Sequence, residues 1–155
     1  MRKALLLVIV FSILAATGTV YAQTGNLGAF DLVLKAEGRG AQELIANSNL
    51  LPRGARFMKG ETYELDVSFT VSRDCADFNF ALIDNTEAAN WWRNLSNWPS
   101  LTDVKAGQVY NEKLTLILDQ NATGNSTAAN KICVQTNSPG GNVTVKFTRF
   151  VLTKK

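Results

Sequence analysis

The sequence of 155 residues contains no histidine, and it has only two cysteines and three prolines. The absence of histidine excludes Ser-His-Asp and Cys-His catalysis and the usual zinc sites, which depend on an imidazole. After position 22 no run is apolar and long enough to cross a bilayer. There is no internal repeat and no low-complexity tract, so residues 23–155 are expected to form one domain with its own core.

Residues 1–22 are typical of an export signal. Arg2 and Lys3 precede an apolar stretch over residues 4–16, and small residues lead up to a predicted cleavage site after Ala22. We therefore expect a secreted or periplasmic protein; an uncleaved membrane anchor stays open as the alternative. Loss of the two basic residues lowers the formal charge from +3 to +1, so the charge does not indicate nucleic acid as a partner.

The cysteines Cys75 and Cys133 predict a disulfide, because an exported chain with an even number of cysteines usually pairs them. Closing the long loop between them would contribute about 3–4 kcal/mol in the chain-entropy description. Two free buried thiols are the alternative at this point.

Apolar and polar residues alternate strictly from Thr62 to Ser72, with Tyr63, Leu65 and Phe69 on the apolar side. This period of two predicts a long antiparallel strand with one buried face. Further strands are predicted at 29–35, within 41–51, and at 55–58, 78–84, 109–119, 131–136 and 143–153, the last with a bulge near Arg149. Residues 85–105 are predicted to be a connection. No stretch has a helical period, and the sequence therefore predicts an all-β antiparallel sandwich, or jelly roll.

One family resemblance begins at Lys59, where KGETYEL opens the alternating strand. This stretch resembles the "KGKTYxLSF" strand of jelly-roll carbohydrate-binding modules of the family 4 and 9 type and their galactose-binding-like relatives. Later pieces follow the family order: 78–84, 106–118, 132–136 and 141–152. The resemblance covers Ala29 to Lys155 and implies a jelly roll that binds glycans. Phe147-Thr148-Arg149-Phe150 stands where the family often has acidic ligands of a structural calcium, which counts against a calcium site of the family type. No cofactor or metal is expected, and a structural calcium stays open as the alternative.

The candidate ligand-binding residues combine tryptophans with amides and one guanidinium. Indoles stack on the C–H faces of sugar rings, and amides hydrogen-bond to the hydroxyls. In the family resembled, such groups line a concave face and its rim. The expected ligand-binding set is Trp91, Trp92, Trp98, Arg93, Asn90, Asn79 and Gln135, the last two from the non-core faces of their strands. Alternatively, each tryptophan anchors the long loop to the sandwich.

Glu61, Glu64 and Asp66 superficially resemble the carboxylate cluster of sandwich glucanases, which gives a catalytic interpretation as an alternative. Ser68 and Thr70 occupy the positions where a third acid would have to follow. A solvated outer face is the favoured interpretation, and we expect no enzyme. The sequons at Asn94, Asn121, Asn125 and Asn142 match the glycosylation acceptor pattern, in a chain rich in asparagine.

The sequence thus predicts a secreted or periplasmic, non-catalytic protein whose partner is a polysaccharide or oligosaccharide. The alternative is a structural or protein-interaction sandwich of the cell envelope, with envelope proteins as partners and no glycan ligand. Nucleic acid is not expected as a partner, nor is a membrane span once the leader has been removed.

Overall fold

The computed structural model describes residues 24–89, 92–118, 128–137 and 140–155. Within them lie two short 3-10 turns, Asn47–Asn49 and Glu87–Ala89, and no helix that is long and apolar enough to cross a membrane. The strands of these residues are β1 (Thr24–Asn26), β2 (Phe30–Glu37), β3 (Gly40–Ala46), β4 (Phe57–Met58), β5 (Thr62–Val71), β6 (Cys75–Asp84), β7 (Arg93–Asn94), β8 (Ser100–Val104), β9 (Tyr110–Ile117), β10 (Ala128–Ala129), β11 (Lys131–Thr136) and β12 (Val143–Lys154).

Ten of these strands form two antiparallel layers that share β2, and β4 and β10 pair with each other as a separate two-stranded sheet. The first sheet runs β9-β5-β12-β2, with β1 also paired to β12. The second sheet runs β2-β3-β11-β6, and β7 and β8 pair with the free side of β6. Leu34 of β2 pairs with Val143 in the first sheet, whereas Lys35 pairs with Gln42 in the second. β2 therefore turns the corner of the sandwich, and the predicted all-β jelly-roll class is confirmed.

The core lies between the two sheets and is rich in aromatic rings. Along β5, buried residues alternate with half-buried ones without interruption. Phe69 of β5 stacks on Phe78 of β6, with ring centroids 4.8 Å apart, and also contacts Phe147 of β12. Such pairs add to the energy of apolar burial, and here they join the first sheet to the second.

Most predicted strands are confirmed, including the bulge, which shifts the β12–β5 register between Phe147 and Arg149. The prediction of one long connection over 85–105 is wrong, because β7 and β8 lie within it. β8 was missed since it is an edge strand: Ser100, Thr102 and Asp103 are exposed, so no apolar alternation marks it.

The predicted disulfide is also wrong, because Cys75 and Cys133 are both free and buried. Cys75 belongs to the core between the sheets, while Cys133 lies in a separate apolar cluster with Ala81 and Ile83. Cys133 pairs with Ala81, which lies six residues along β6 from Cys75. That separation is about 20 Å at the rise of a strand, whereas a disulfide needs Cα atoms within about 7 Å.

Candidate functional site

The candidate site is the outer face of the second sheet. Phe78, Phe80 and Leu82 point into the core from β6. Because side chains alternate along a strand, Asn79 and the apolar residues Ala81 and Ile83 lie on the opposite face. This is the orientation predicted from the sequence.

Four polar side chains lie directly opposite one another across four strands of this face. Ser100 pairs with Asn79, Asn79 pairs with Gln135, and Gln135 pairs with Gln42. We refer to these four residues as the amide row. Directly opposed residues share a face, and three interstrand spacings give the row a length of about 14 Å. It supplies amide donors and acceptors along one line.

An apolar patch lies beside the amide row. It consists of Ala81, Ile83 and Cys133, with Leu44 and Trp98 packed against them. The Phe80 N–H donates to the Pro99 carbonyl at 3.2 Å, which continues the alignment of β6 with β8 beyond Asn79 and Ser100. Trp98 therefore lies next to Ala81. The half-buried indole is thus one step along the strands, about 7 Å, from the amide row.

The segment that carries Trp98 is fastened to both sheets. The Asn97 side chain donates to the Thr115 carbonyl at 2.9 Å and accepts from the Ile117 N–H at 2.8 Å, and the Asn97 N–H donates to the Ile117 carbonyl at 3.2 Å. On the other side, the Ser96 hydroxyl accepts from the Leu82 N–H at 2.8 Å. These bonds order the segment before any ligand arrives, which lowers the entropic cost of binding.

Asn79 is 8% exposed, and its side-chain polar atoms are not among the buried atoms that lack a partner. Among the described residues no hydrogen bond engages this side chain, so its amide can bond to water or to a ligand. Its neighbour Gln135 has only a long contact, 4.0 Å, with the Cys133 sulfur. The middle of the amide row therefore has hydrogen-bonding capacity that none of the described residues uses.

A polar cavity of about 320 Å³ continues the face at the Gln42 end of the amide row. Asn137, one of its lining residues, is held in place by Asp77. The Asp77 carboxylate accepts hydrogen bonds from the Asn137 N–H at 2.8 Å and from the Asn137 side-chain amide at 2.6 Å. Gln42 donates to the Glu37 carboxylate at 2.5 Å. The cavity is lined by Glu37, Arg39, Gly40, Ala41, Gln42, Gln135 and Asn137.

Of the candidate residues from the sequence, the structure brings Asn79, Gln135 and Trp98 together on this face. Trp92 is 38% exposed, and Arg93 lies in β7 opposite Asp84, beyond the apolar patch. Asn90 and Trp91 lie outside the described residues.

Two members of the amide row were missed. Ser100 lies in β8, which was not predicted, and for Gln42 only a strand somewhere within 41–51 was predicted. The alternation of residues within 40–46 could have identified Gln42 as outward-facing.

The carboxylates of the catalytic interpretation lie away from this face. Glu64 and Asp66 are on the outer face of the first sheet, where Glu64 pairs with Lys155 and Asp66 with Arg149, both at 2.9 Å. The hydrogen bond from Arg149 lowers the pKa of Asp66. Each carboxylate therefore already has a cation as its partner.

Within the described ranges, no group of three or more His, Cys, Asp or Glu side chains is placed to hold a metal ion.

Comparison with known proteins gives structural matches only. No protein-family profile matches the sequence, and no curated protein matches it. The chain is structurally similar to a family 4 carbohydrate-binding module, with a TM-score of 0.49, 14% identity, and coverage of 86% of this chain and 95% of that one. It is also similar to a family 28 module specific for non-crystalline cellulose, with a TM-score of 0.45, 9% identity, and coverage of 76% and 72%.

A third match is an arabinose-bound family 51 α-L-arabinofuranosidase, with a TM-score of 0.48 and 15% identity. The match covers 85% of this chain but only 23% of that enzyme. At TM-scores below 0.5 these similarities do not decide a function, which has to come from the residues of the face.

Proposed function

We propose that this chain is a non-catalytic carbohydrate-binding protein whose binding surface is the outer face of the second sheet. The observation that carries the proposal is the amide row, which lies two residues along the strands from the ordered Trp98. At its middle is Asn79, whose amide is engaged by no hydrogen bond among the described residues. A glycan has the matching chemistry, because each sugar presents hydroxyls on its edge and C–H groups on its face.

In this proposal a sugar ring stacks on the accessible part of Trp98, and its hydroxyls bond to the amides of Asn79, Gln135 and Gln42. Each amide offers a donor and an acceptor, so one row serves both polarities of a hydroxyl. Trp92 and Arg93 would contribute at the rim. The leader over residues 1–22 stays a prediction, and with it export to the periplasm or medium.

The absence of catalysis is proposed from the state of the acids on this face. Asp77 accepts hydrogen bonds from Asn137, and Glu37 accepts one from Gln42. Glycoside hydrolysis usually needs one carboxylate as acid and a second as base or nucleophile at a defined separation. The engaged acids support binding without cleavage.

A panel of soluble β-glucans, xylans and mannans, titrated while calorimetry and tryptophan fluorescence are recorded, tests the proposal. At least one glycan should bind, and Trp98→Ala and Asn79→Val should each weaken binding about tenfold or more, as expected for lost stacking or for hydrogen bonds. Thr70→Ala, on the outer face of the first sheet, is the control and should bind like the wild type. The proposal is overturned if the folded protein binds no glycan, or if both variants bind as the wild type does.

The exposed Trp92 is the observation that favours the second candidate, a protein-interaction sandwich. Interfaces are often anchored by an exposed tryptophan. Association with a second copy, seen in light scattering as concentration-dependent growth and lost in Trp92→Ala, together with no glycan binding, would favour that candidate over the first.

A further inference from the structure

Lys131 lies on the floor of the proposed binding face. It lies on the same face of β11 as Cys133 and Gln135. Directly opposite it are Ile83 on β6 and Ala46 on β3. The residue is half-buried. The residue therefore stands beside the apolar patch against which Trp98 packs.

Lys131 has no ion-pair partner among the described residues. In the part of the chain that the structure describes, no carboxylate lies within ion-pair distance of its ammonium group, and no hydrogen bond engages it. Glu43, a nearby acid of β3, is paired with Lys35. Half-buried cations usually have such a partner, because removal from water without one costs free energy.

The other charged groups of the face differ from Lys131 in their surroundings. Arg39, which lines the polar cavity, is exposed to solvent and not half-buried. Asp77 accepts two hydrogen bonds from Asn137. The uncompensated charge on the floor of the face is thus positive and lies diagonally across from the indole.

We propose that the glycan bound at this face is acidic, and that Lys131 binds a carboxylate of a uronic acid residue stacked on the accessible part of Trp98. Ala81, beside the indole, and Lys131 are diagonal neighbours on adjacent strands, about 7–8 Å apart between Cα atoms. A sugar ring over Trp98 would bring an acidic substituent within reach of the flexible lysine side chain. A charge-assisted hydrogen bond in a half-buried site is stronger than one between neutral groups.

This inference rests on the proposed glycan-binding function, and it is tested with pairs of polymers that differ only in charge. Polygalacturonate, alginate and hyaluronan are each compared with their carboxyl-reduced, neutral counterparts in titrations against the full protein. At least one acidic polymer should bind about tenfold or more tightly than its reduced counterpart, as expected for a hydrogen bond to a charged group. Added salt should weaken that binding.

Lys131→Gln should abolish the preference for the acidic polymer and leave the affinity for the neutral counterpart unchanged. Lys113→Gln removes the same charge from the outer face of the first sheet and should keep the preference. Equal or tighter binding of every neutral polymer overturns the inference and leaves the proposed function standing, as does a preference that survives Lys131→Gln. If neither these polymers nor the neutral glycan panel binds, the proposed function itself fails.

Discussion

At the scale of single residues, Asn79 and Ser96 show two opposite uses of a buried polar group. The Ser96 hydroxyl accepts from the Leu82 N–H and donates to the Asn97 carbonyl, both at 2.8 Å. Asn79 is 8% exposed, and no hydrogen bond within the described residues engages its amide. The first group stabilises the fold, whereas the second keeps its donor and acceptor for water or a ligand.

This contrast predicts different stabilities for Asn79→Val and Ser96→Ala. Asn79→Val should change the free energy of unfolding by less than about 1 kcal/mol, because no hydrogen bond within the described residues is lost. Ser96→Ala should lower it by about 1–3 kcal/mol, because the buried Leu82 N–H is left without a partner. Urea denaturation measures both. A loss of more than about 1 kcal/mol in Asn79→Val would show that the protein itself uses that amide.

A second residue-scale prediction concerns the free thiols. Burial, together with the charge of Glu43, raises the pKa of Cys133 to about 12, so its thiol is protonated and unreactive at neutral pH. Neither Cys75 nor Cys133 should react with Ellman's reagent in the native protein. Both should react in urea without added reductant, whereas no reaction there would indicate that the chain carries a disulfide after all.

At the scale of elements, the segment around Asn97 takes the place of a neighbouring strand at the edge of β9. Its backbone and side chain satisfy outward-pointing groups of Thr115 and Ile117 that would otherwise lie open at the sheet edge. The same bonds fix the backbone next to Trp98. One residue therefore protects an edge of the first sheet and positions an aromatic side chain over the second.

Asn97→Ala should therefore lower the stability of the protein and increase the mobility of the Trp98 indole. We expect a loss of about 1–3 kcal/mol, because hydrogen bonds to β9 disappear. In a Trp91→Phe/Trp92→Phe background, the fluorescence anisotropy of Trp98 should also fall as the indole gains freedom. Asn111→Ala, also on β9 but bonded through its side chain to Ser68, is the control and should leave the anisotropy unchanged. Unchanged anisotropy in Asn97→Ala would show that packing alone orders Trp98.

The turn before β5 gives a pH prediction. Burial opposes ionisation of Glu61, but hydrogen bonds from Lys154, Tyr63 and the Met58 N–H outweigh it and lower the pKa. A depressed pKa in the folded state stabilises the protein above the ordinary value of 4.5, and this contribution is lost as the pH falls below it. Thermal unfolding from pH 6 to pH 3 should show a smaller loss of stability in Glu61→Gln than in the wild type. Glu87→Gln, an exposed glutamate, should follow the wild type; a wild-type slope in Glu61→Gln would contradict the prediction.

At the scale of the whole molecule, a strand can be predicted from the sequence only if its burial leaves a pattern in its own residues. β5 was predictable because one of its faces is buried and the other is not, which writes a period of two into the residues. β8 was not, since its edge position leaves most of it exposed and Asp103 takes a positive φ of 56°.

The pairing and register of the strands could not be predicted from the sequence either. Cys75 and Cys133 were paired from their number alone, yet the register places Cys133 opposite Ala81. The amide row likewise depends on how three pairs of strands are aligned. The sequence predicts that Asn79 and Gln135 face outward, but not that the four residues lie opposite one another.

The shared strand β2 makes the two sheets one cooperative unit, which predicts how damage to one sheet appears in the other. All three tryptophans lie in residues 91–98, where Trp98 packs on the outer face of the second sheet. Leu65→Ala truncates a fully buried side chain of the first sheet and should cost about 2–5 kcal/mol. Because a single core joins the sheets, urea transitions followed by tryptophan fluorescence and by far-UV circular dichroism should shift together by that amount. A fluorescence midpoint that stays at the wild-type value while the dichroism midpoint falls would mean that the sheets unfold separately.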